Sequence, residues 1–274
     1  MAGFDMHIHS TASDGSLDVR EIVDISRAKY YIAGIAITDH DTVAGLPRAL
    51  DYAKKLNYPL IPGIELSAEY EEYEVHILGY WIETDKIAAD GRLRLMGQAR
   101  EERCRQMARR LAALDMPVDV ETIIAAATKA KCSLGRPHIA SAMVEAGYVE
   151  NLREAFDSWL SRGKPVYVPR LKLSPGEALD MIVEAGGVAV LAHPGIGLPD
   201  HLVSRLARQG LGGLEVYHSE HSRMAEKKYL QMARQYRLAS IGGSDFHFSG
   251  SRDIGCRLTS PEQLRFLSGQ RERL

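Results

Sequence analysis

Apolar and polar positions change period along the chain, and the changes mark its elements. Apolar runs at 31–40 ("YIAGIAITDH"), 58–67 ("YPLIPGIELS") and 74–82 ("EVHILGYWI") read as strands, the third placed to pair with the second. Stretches 18–29 and 44–56 read as helices. Alternating strand and helix implies parallel pairing through crossover helices. From 86 to 164 the rhythm changes: no stretch reads as a convincing strand, and Met107, Leu111 and Leu114 fall at helical spacing. Asp119 before an apolar run marks a helix start there. Then "PVYVP" (165–169) reads as a strand, and 174–186 as a helix with Ser174 as N-cap, Pro175 at its first position and Glu177 closing a capping box. "GVAVLAHPG" has the continuous apolar character of a parallel strand buried on both faces. Helix 199–209, strand 213–219, helix 220–237 and strand 239–247 complete the pattern. It predicts an α/β domain built from 1–85 and 165–274, interrupted by an all-helical insertion at 86–164.

Length and composition are consistent with this. A chain of 274 residues suits one α/β barrel, or a domain with an insertion. The formal net charge of −2 does not mark a dedicated polyanion binder. Its distribution is uneven: 86–164 holds 14 Lys and Arg against 10 Asp and Glu, which leaves 20 against 26 for the rest. Three widely spaced cysteines, Cys104, Cys132 and Cys256, do not make a disulfide framework and fit a reducing compartment. The first residues lack the basic and apolar regions of a signal peptide, and no stretch approaches the roughly 20 apolar residues of a membrane span. A cytoplasmic location is expected, with no membrane association and no obligatory protein partner.

The histidines sharpen the picture. His7 and His9 end the first strand, His40 the next, His193 ends "GVAVLAH", and Asp245 and His247 end "ASIGGSDFH". Glu65 ends "PLIPGIE", His76 lies in the following strand, and Asp14 follows the first pair. Residues i and i+2 of a strand share a face, which aims His7 and His9 together. Functional side chains of α/β sheets gather at the carboxyl ends of strands, so these groups are expected at one mouth. Imidazole with carboxylate suits Mn²⁺, Zn²⁺ or Fe²⁺, whereas an oxygen-only set would suit Mg²⁺ or Ca²⁺. Nine candidates exceed the needs of one ion and suffice for two or three. His138, His201, His218 and His221 lack this placement.

The segments "DMHIHS", "SDG", "ITDHD", "GIELS", "HILGY", "AHPG" and "GGSDFH" resemble, in order, the motifs of the PHP (polymerase and histidinol phosphatase) superfamily. The likeness is strongest to its small bacterial phosphoesterases with a helical insertion, which act on nucleoside 3′,5′-bisphosphates and on 5′ ends of short RNA. It implies a distorted (β/α)7 barrel with two or three divalent metal ions at its mouth, Mn²⁺ foremost. His7, His9, Glu65 and Asp245 would hold one ion. Glu65 would bridge to a second, held also by His76 and His193. Asp14, His40 and His247 would hold a third; many relatives have histidine in place of Asp14, so this site is the harder one here.

Such a centre hydrolyses phosphate esters with a metal-bound water, deprotonated between two ions, as nucleophile. No G-x-S-x-G elbow is present, and "GLGGLE" (210–215) precedes a strand rather than opening a helix. An anionic substrate gives the basic insertion a role. Arg136 and His138 in "LGRPH", and Lys164 in "RGKPVYV", are candidate phosphate contacts, Arg136 through a bidentate grip. His221 is a candidate proton donor or phosphate contact. The expected activity is hydrolysis of a nucleoside 3′,5′-bisphosphate or of 5′-terminal nucleotides of short RNA. Alternatives are another small phosphomonoester such as histidinol phosphate, or a non-catalytic nucleotide-binding module, the latter disfavoured because all nine ligand positions are filled.

Overall fold

A computed structural model describes residues 2–130, 132–169, 173–248, 250 and 252–271. Seven strands form one mixed sheet, in sequence order: β1 (Gly3–Asp5), β2 (Ile32–Ile37), β3 (Leu60–Tyr70), β4 (Tyr73–Tyr80), β5 (Val188–Leu191), β6 (Gly213–Tyr217) and β7 (Ala239–Gly242). Pairing is parallel from β1 to β3 and from β5 to β7, while β4 runs antiparallel to both its neighbours. The segment following β1 meets the segment following β7: Ile8 and Phe246 form a parallel bridge, and His9 N–H donates to Phe246 O at 2.9 Å. The sheet is thereby nearly closed into a barrel.

Helices α1 (Val19–Ala28) and α2 (Leu46–Lys55) connect β1 to β3. Asp18 caps α1, and Glu21 returns the bond to the Asp18 N–H at 2.8 Å, while Val19, Ile22 and Val23 turn inward. Helix α3 (Thr84–Ala89) follows β4. Helices α4 (Gly91–Ala112), α5 (Val120–Ala130), α6 (Arg136–Glu145) and α7 (Leu152–Ala155), the last continued by a π-turn at Phe156–Leu160, form a second compact unit, Gly91–Leu171. The first unit comprises Met1–Asp90 and Lys172–Leu274. It resumes with α8 (Pro175–Glu184), then α9 (Asp200–Arg208), α10 (Arg223–Tyr236) and α11 (Pro261–Ser268). Ser174 caps α8 and Glu177 completes the capping box, as the sequence motif requires.

Each unit has its own core. In the barrel unit Met6, Leu78, Tyr80, Val188, Val190 and Ile241 pack together, and the buried Tyr80 hydroxyl donates to Met6 O at 2.8 Å. All four residues of β5 are buried, as its apolar run predicts. In the helical unit Met107, Leu111, Ile139, Met143 and Leu160 form the core.

The expected strand at 165–169 is not formed. Val166 and Val168 are buried, but in the core of the helical unit. Two arginines of α4 take carbonyls that a partner strand would need: Arg103 Nε donates to Val168 O at 2.7 Å, and Arg110 Nη1 to Tyr167 O. Alternating apolar residues therefore pack on helices here, with side chains satisfying the main chain.

The strands are also shorter than their apolar runs. β2 stops at Ile37, β5 at Leu191 and β7 at Gly242, so His40, His193, Asp245 and His247 lie just past the ladders. Their backbone is irregular: His193 has φ 26° and Asp245 φ 51°, left-handed conformations that non-glycine residues adopt at a cost. Gly243 allows this crowding, since a Cβ there would stand 2.3 Å from His7 Cβ and 2.5 Å from His7 N. Overpacking against backbone is expected to cost about 1–3 kcal/mol or more. Gly243→Ala should lower the unfolding free energy of the metal-free protein, measured by urea denaturation, by that amount; an unchanged value would contradict this packing.

Candidate metal centre

The residues past the strand ends converge at the carboxyl end of the parallel strands. Glu65, on β3, is 1% exposed and lies at the centre. Its Oε2 is 3.2 Å from His7 Nε2, 3.1 Å from His9 Nε2 and 3.1 Å from His40 Nδ1. Its Oε1 is 2.9 Å from His76 Nδ1 and 3.4 Å from His193 Nε2. His76 reaches the mouth because β4 is reversed: its pairing sets His76 opposite Ser67, two residues beyond Glu65. Asp245 Oδ1 stands 3.3 Å from His7 Nε2 and 3.2 Å from His9 Nε2.

A further cluster joins His9, Asp14, His40 and His247. Asp14 lies 3.7 Å from His9 Nδ1, 3.9 Å from His40 Nε2 and 3.5 Å from His247 Nε2. His9 therefore faces two clusters, one with each ring nitrogen, whereas the family resemblance placed it in one. Asp39 builds the turn that carries Asp14. Its carboxylate accepts from Ser10 N at 2.8 Å, Ser10 Oγ at 2.7 Å and Ser13 Oγ at 2.6 Å.

His9 Nδ1, Asp14 Oδ1, His40 Nδ1 and both oxygens of Glu65 are buried and make no hydrogen bond of acceptable geometry. Buried polar atoms normally have partners. Ligands bound 2.0–2.2 Å from one ion stand about 3.0–3.5 Å apart, the spacing seen around Glu65. The donor set thus fits divalent ions that accept imidazole and carboxylate together.

Charge is balanced inside the cluster. Burial disfavours the charged form of His9, but Asp245, Glu65 and Asp14 outweigh it and raise its pKa to about 10. His76 is raised to about 9 against its burial, chiefly by Glu65. His40 is held down to about 3, first by burial and further by the charges of His9 and His76. Glu65 and Asp245 lie well below the ordinary carboxylate range despite burial, held there mainly by the surrounding imidazoles. Asp14 is lowered to about 2, with His40, His9 and His247 overcoming its burial.

The remaining candidates fall elsewhere. His221 has both ring nitrogens on the main chain: Nδ1 donates to Val216 O at 2.9 Å and Nε2 accepts from Gly195 N at 3.0 Å. A proton-donor role needs a nitrogen that these bonds occupy. Arg136, His138 and Lys164 lie in the helical unit, where Arg136 sits 5.7 Å from the Phe156 ring centroid and His138 Nδ1 accepts from Gly135 N at 3.2 Å. His201, on α9, meets the Tyr70 hydroxyl at 3.2 Å.

Sequence reasoning missed four groups. Glu215 and His218, on and just past β6, face His7 and Asp245. Arg252 pairs with Asp245 and Glu220. Asp5, fully buried, accepts from Ser244 N at 2.8 Å and Gly255 N at 2.7 Å, tying β1 to the segment after β7. The strand-end rule applied to "GLEVYHS" would have found His218, whereas Glu215 sits in the middle of β6. Nothing in sequence spacing marks Arg252 or Asp5.

An α/β barrel whose mouth carries overlapping imidazole and carboxylate clusters defines the class, a metal-dependent hydrolase. The chain belongs to the PHP domain family, whose model matches residues 5–148. It is 34% identical over 262 residues to a 3′,5′-nucleoside bisphosphate phosphatase of Chromobacterium violaceum, covering 93% of this chain and 91% of that one. It is also 34% identical over 251 residues to the 5′-3′ exoribonuclease Rnm of Salmonella typhimurium, covering 89% and 85%. Among solved structures it resembles a Bifidobacterium adolescentis protein assigned to the metal-dependent phosphoesterases, with TM-score 0.90, 31% identity, and 98% and 96% of the two chains covered. The chain is accordingly a hydrolase of phosphate ester bonds.

Metal loading should release protons, because His9 and His76 carry them at pH 7 in the metal-free protein and must lose them to ligate. Mn²⁺ affinity should rise from pH 6 to pH 9, and titration calorimetry in buffers of different ionisation enthalpy should show proton release. The same shifts stabilise the metal-free fold fully below about pH 6.5, and that contribution is lost as pH rises through about 9 and 10. A metal-free melting temperature that climbs over this range would refute the charge assignment.

Proposed function

We propose that the chain hydrolyses phosphate esters of a nucleotide-type substrate, either a nucleoside 3′,5′-bisphosphate or the 5′-terminal nucleotides of short RNA. The observation that carries this is Glu65, a buried carboxylate with both oxygens free of hydrogen bonds and five imidazoles around it. His7, His9, Glu65 and Asp245 would hold one divalent ion, and Glu65, His76 and His193 a second. Asp14, His40 and His247 would hold a third. Mn²⁺ suits this mixed nitrogen and oxygen set, as do Zn²⁺ and Fe²⁺. Bound there, such ions supply Lewis acidity at phosphoryl oxygens and lower the pKa of water.

The residues around the ions keep the site poised. Glu65 turns one oxygen to His7, His9 and His40 and the other to His76 and His193, so it would serve both positions. Asp39 fixes the Ser10–Ser13 turn and so the reach of Asp14. In the helical unit, which we assign to substrate binding, Arg136, His138 and Lys164 take phosphate groups that are not being cleaved; the excess of Lys and Arg in 86–164 supports this. The names of the relatives support a nucleotide or RNA substrate. A cytoplasmic location agrees with the free cysteines Cys104, Cys132 and Cys256. Among the described residues no helix is long and apolar enough to cross a membrane.

The test compares 3′-phosphoadenosine 5′-phosphate, a 5′-phosphorylated oligoribonucleotide and histidinol phosphate in Mn²⁺. Release of phosphate from the first or of mononucleotides from the second is expected, and turnover of histidinol phosphate alone would overturn the nucleotide reading. His9→Ala should lower bound metal measured by elemental analysis, and unchanged content would refute the ligand set. Arg136→Ala should raise KM about 10–100-fold with a smaller change in kcat, as loss of a charged hydrogen bond to bound phosphate predicts.

A further inference from the structure

Strand β6 gives the cluster no side chain that faces Glu65, yet it carries Glu215, which is completely buried. Its two oxygens serve two different ion positions. Oε1 accepts from His7 Nδ1 at 3.0 Å, and Oε2 accepts from the main-chain N–H of His193 at 2.8 Å. His7 belongs with Asp245 and His9, and His193 with His76. The two residues lie far apart in the chain, and their rings are 5.9 Å apart and nearly parallel, with an interplanar angle of 15°.

Each bond has a definite effect. A proton held on His7 Nδ1 leaves Nε2 with its lone pair aimed at Glu65 Oε2 and Asp245 Oδ1. The second bond fixes the peptide of His193, whose φ of 26° is unfavourable for a residue with a side chain. That peptide sets where the His193 ring stands. The His7–Glu215 contact lies wholly out of solvent, so water does not replace that bond.

We propose that Glu215 is a positioning residue that couples the two ion positions, by fixing the tautomer of His7 and the main chain of His193 with the same carboxylate. The inference rests on the metal-centre reading above. It requires two acceptors on one side chain. Glutamine has the same shape but only one acceptor oxygen, so Glu215→Gln must present an NH2 group to one of the two N–H donors.

The experiment is Mn²⁺ titration of the wild type, Glu215→Ala and Glu215→Gln, with stoichiometry from elemental analysis and circular dichroism of each metal-free protein. For Glu215→Ala, which removes both acceptors, the affinity of both ion positions should fall, each on the order of 10–100-fold, while Glu215→Gln, which keeps one acceptor, should weaken one position more than the other. Wild-type affinity at both positions in Glu215→Ala, or weakening there at one alone, would overturn the coupling. If the wild type binds no metal, the metal-centre reading fails instead. Should Glu215→Ala not fold, ¹⁵N-histidine spectra of the Zn²⁺-loaded wild type decide: the His7 proton must lie on Nδ1, and an unprotonated Nδ1 would overturn the proposal.

Discussion

A carboxylate withdrawn from water needs compensating charge, and in this molecule that need organises everything near it. Glu65 keeps both oxygens buried and lacks hydrogen bonds to either. Five imidazoles, from four separate stretches of chain, face it instead. Isolated burial of such a group is prohibitively costly, so it persists only where opposite charge surrounds it. The protons on His9 and His76 supply that charge when no ion is bound, and divalent ions supply it when bound. The two states compete for the same nitrogens, which links the protein's affinity for metal to pH through the electrostatics that permit the fold.

Much of this was legible in the sequence because the relevant rules are local. Apolar runs bounded by polar residues located the strands, and the strand-end rule selected the residues that now surround Glu65. Ser174 and Glu177 announced α8 correctly. What failed was information carried by contacts distant in sequence. "PVYVP" has the alternation of a strand, but arginines on α4 claim its carbonyls and a helical core claims its valines. The resemblance assigns His9 to one ion, and only the folded geometry sets its Nδ1 beside Asp14 as well as its Nε2 beside Glu65. Glu215 lies in the middle of β6, where the strand-end rule does not reach, and its place in the cluster comes from contacts with His7 and His193 distant in the chain.

Close approach of so many side chains required departures from regular backbone. The ladders end early, and His193 and Asp245 take left-handed conformations. Gly243 and Gly15 lie where no Cβ fits, against the backbone of His7 and His9 respectively. These local costs are met by main-chain hydrogen bonds to buried carboxylates: Asp5 on the segment after β7, Asp39 on the turn before Asp14, and Glu215 on His193. Carboxylates one layer out hold the backbone, while Glu65 and Asp245 in the centre face the imidazoles.

The near-closure of the barrel through Ile8 and Phe246 has a temporal meaning. His7 and His9 leave the ribosome long before Asp245 and His247. Chains with native contacts of such long separation complete them late. During synthesis the nascent protein therefore passes through a long interval with His7, His9 and Glu65 made but Asp245 not yet beside them. The cluster around Glu65 is therefore completed only once β7 and the segment after it are made, and a ribosome that stops before β7 leaves it without Asp245 and His247.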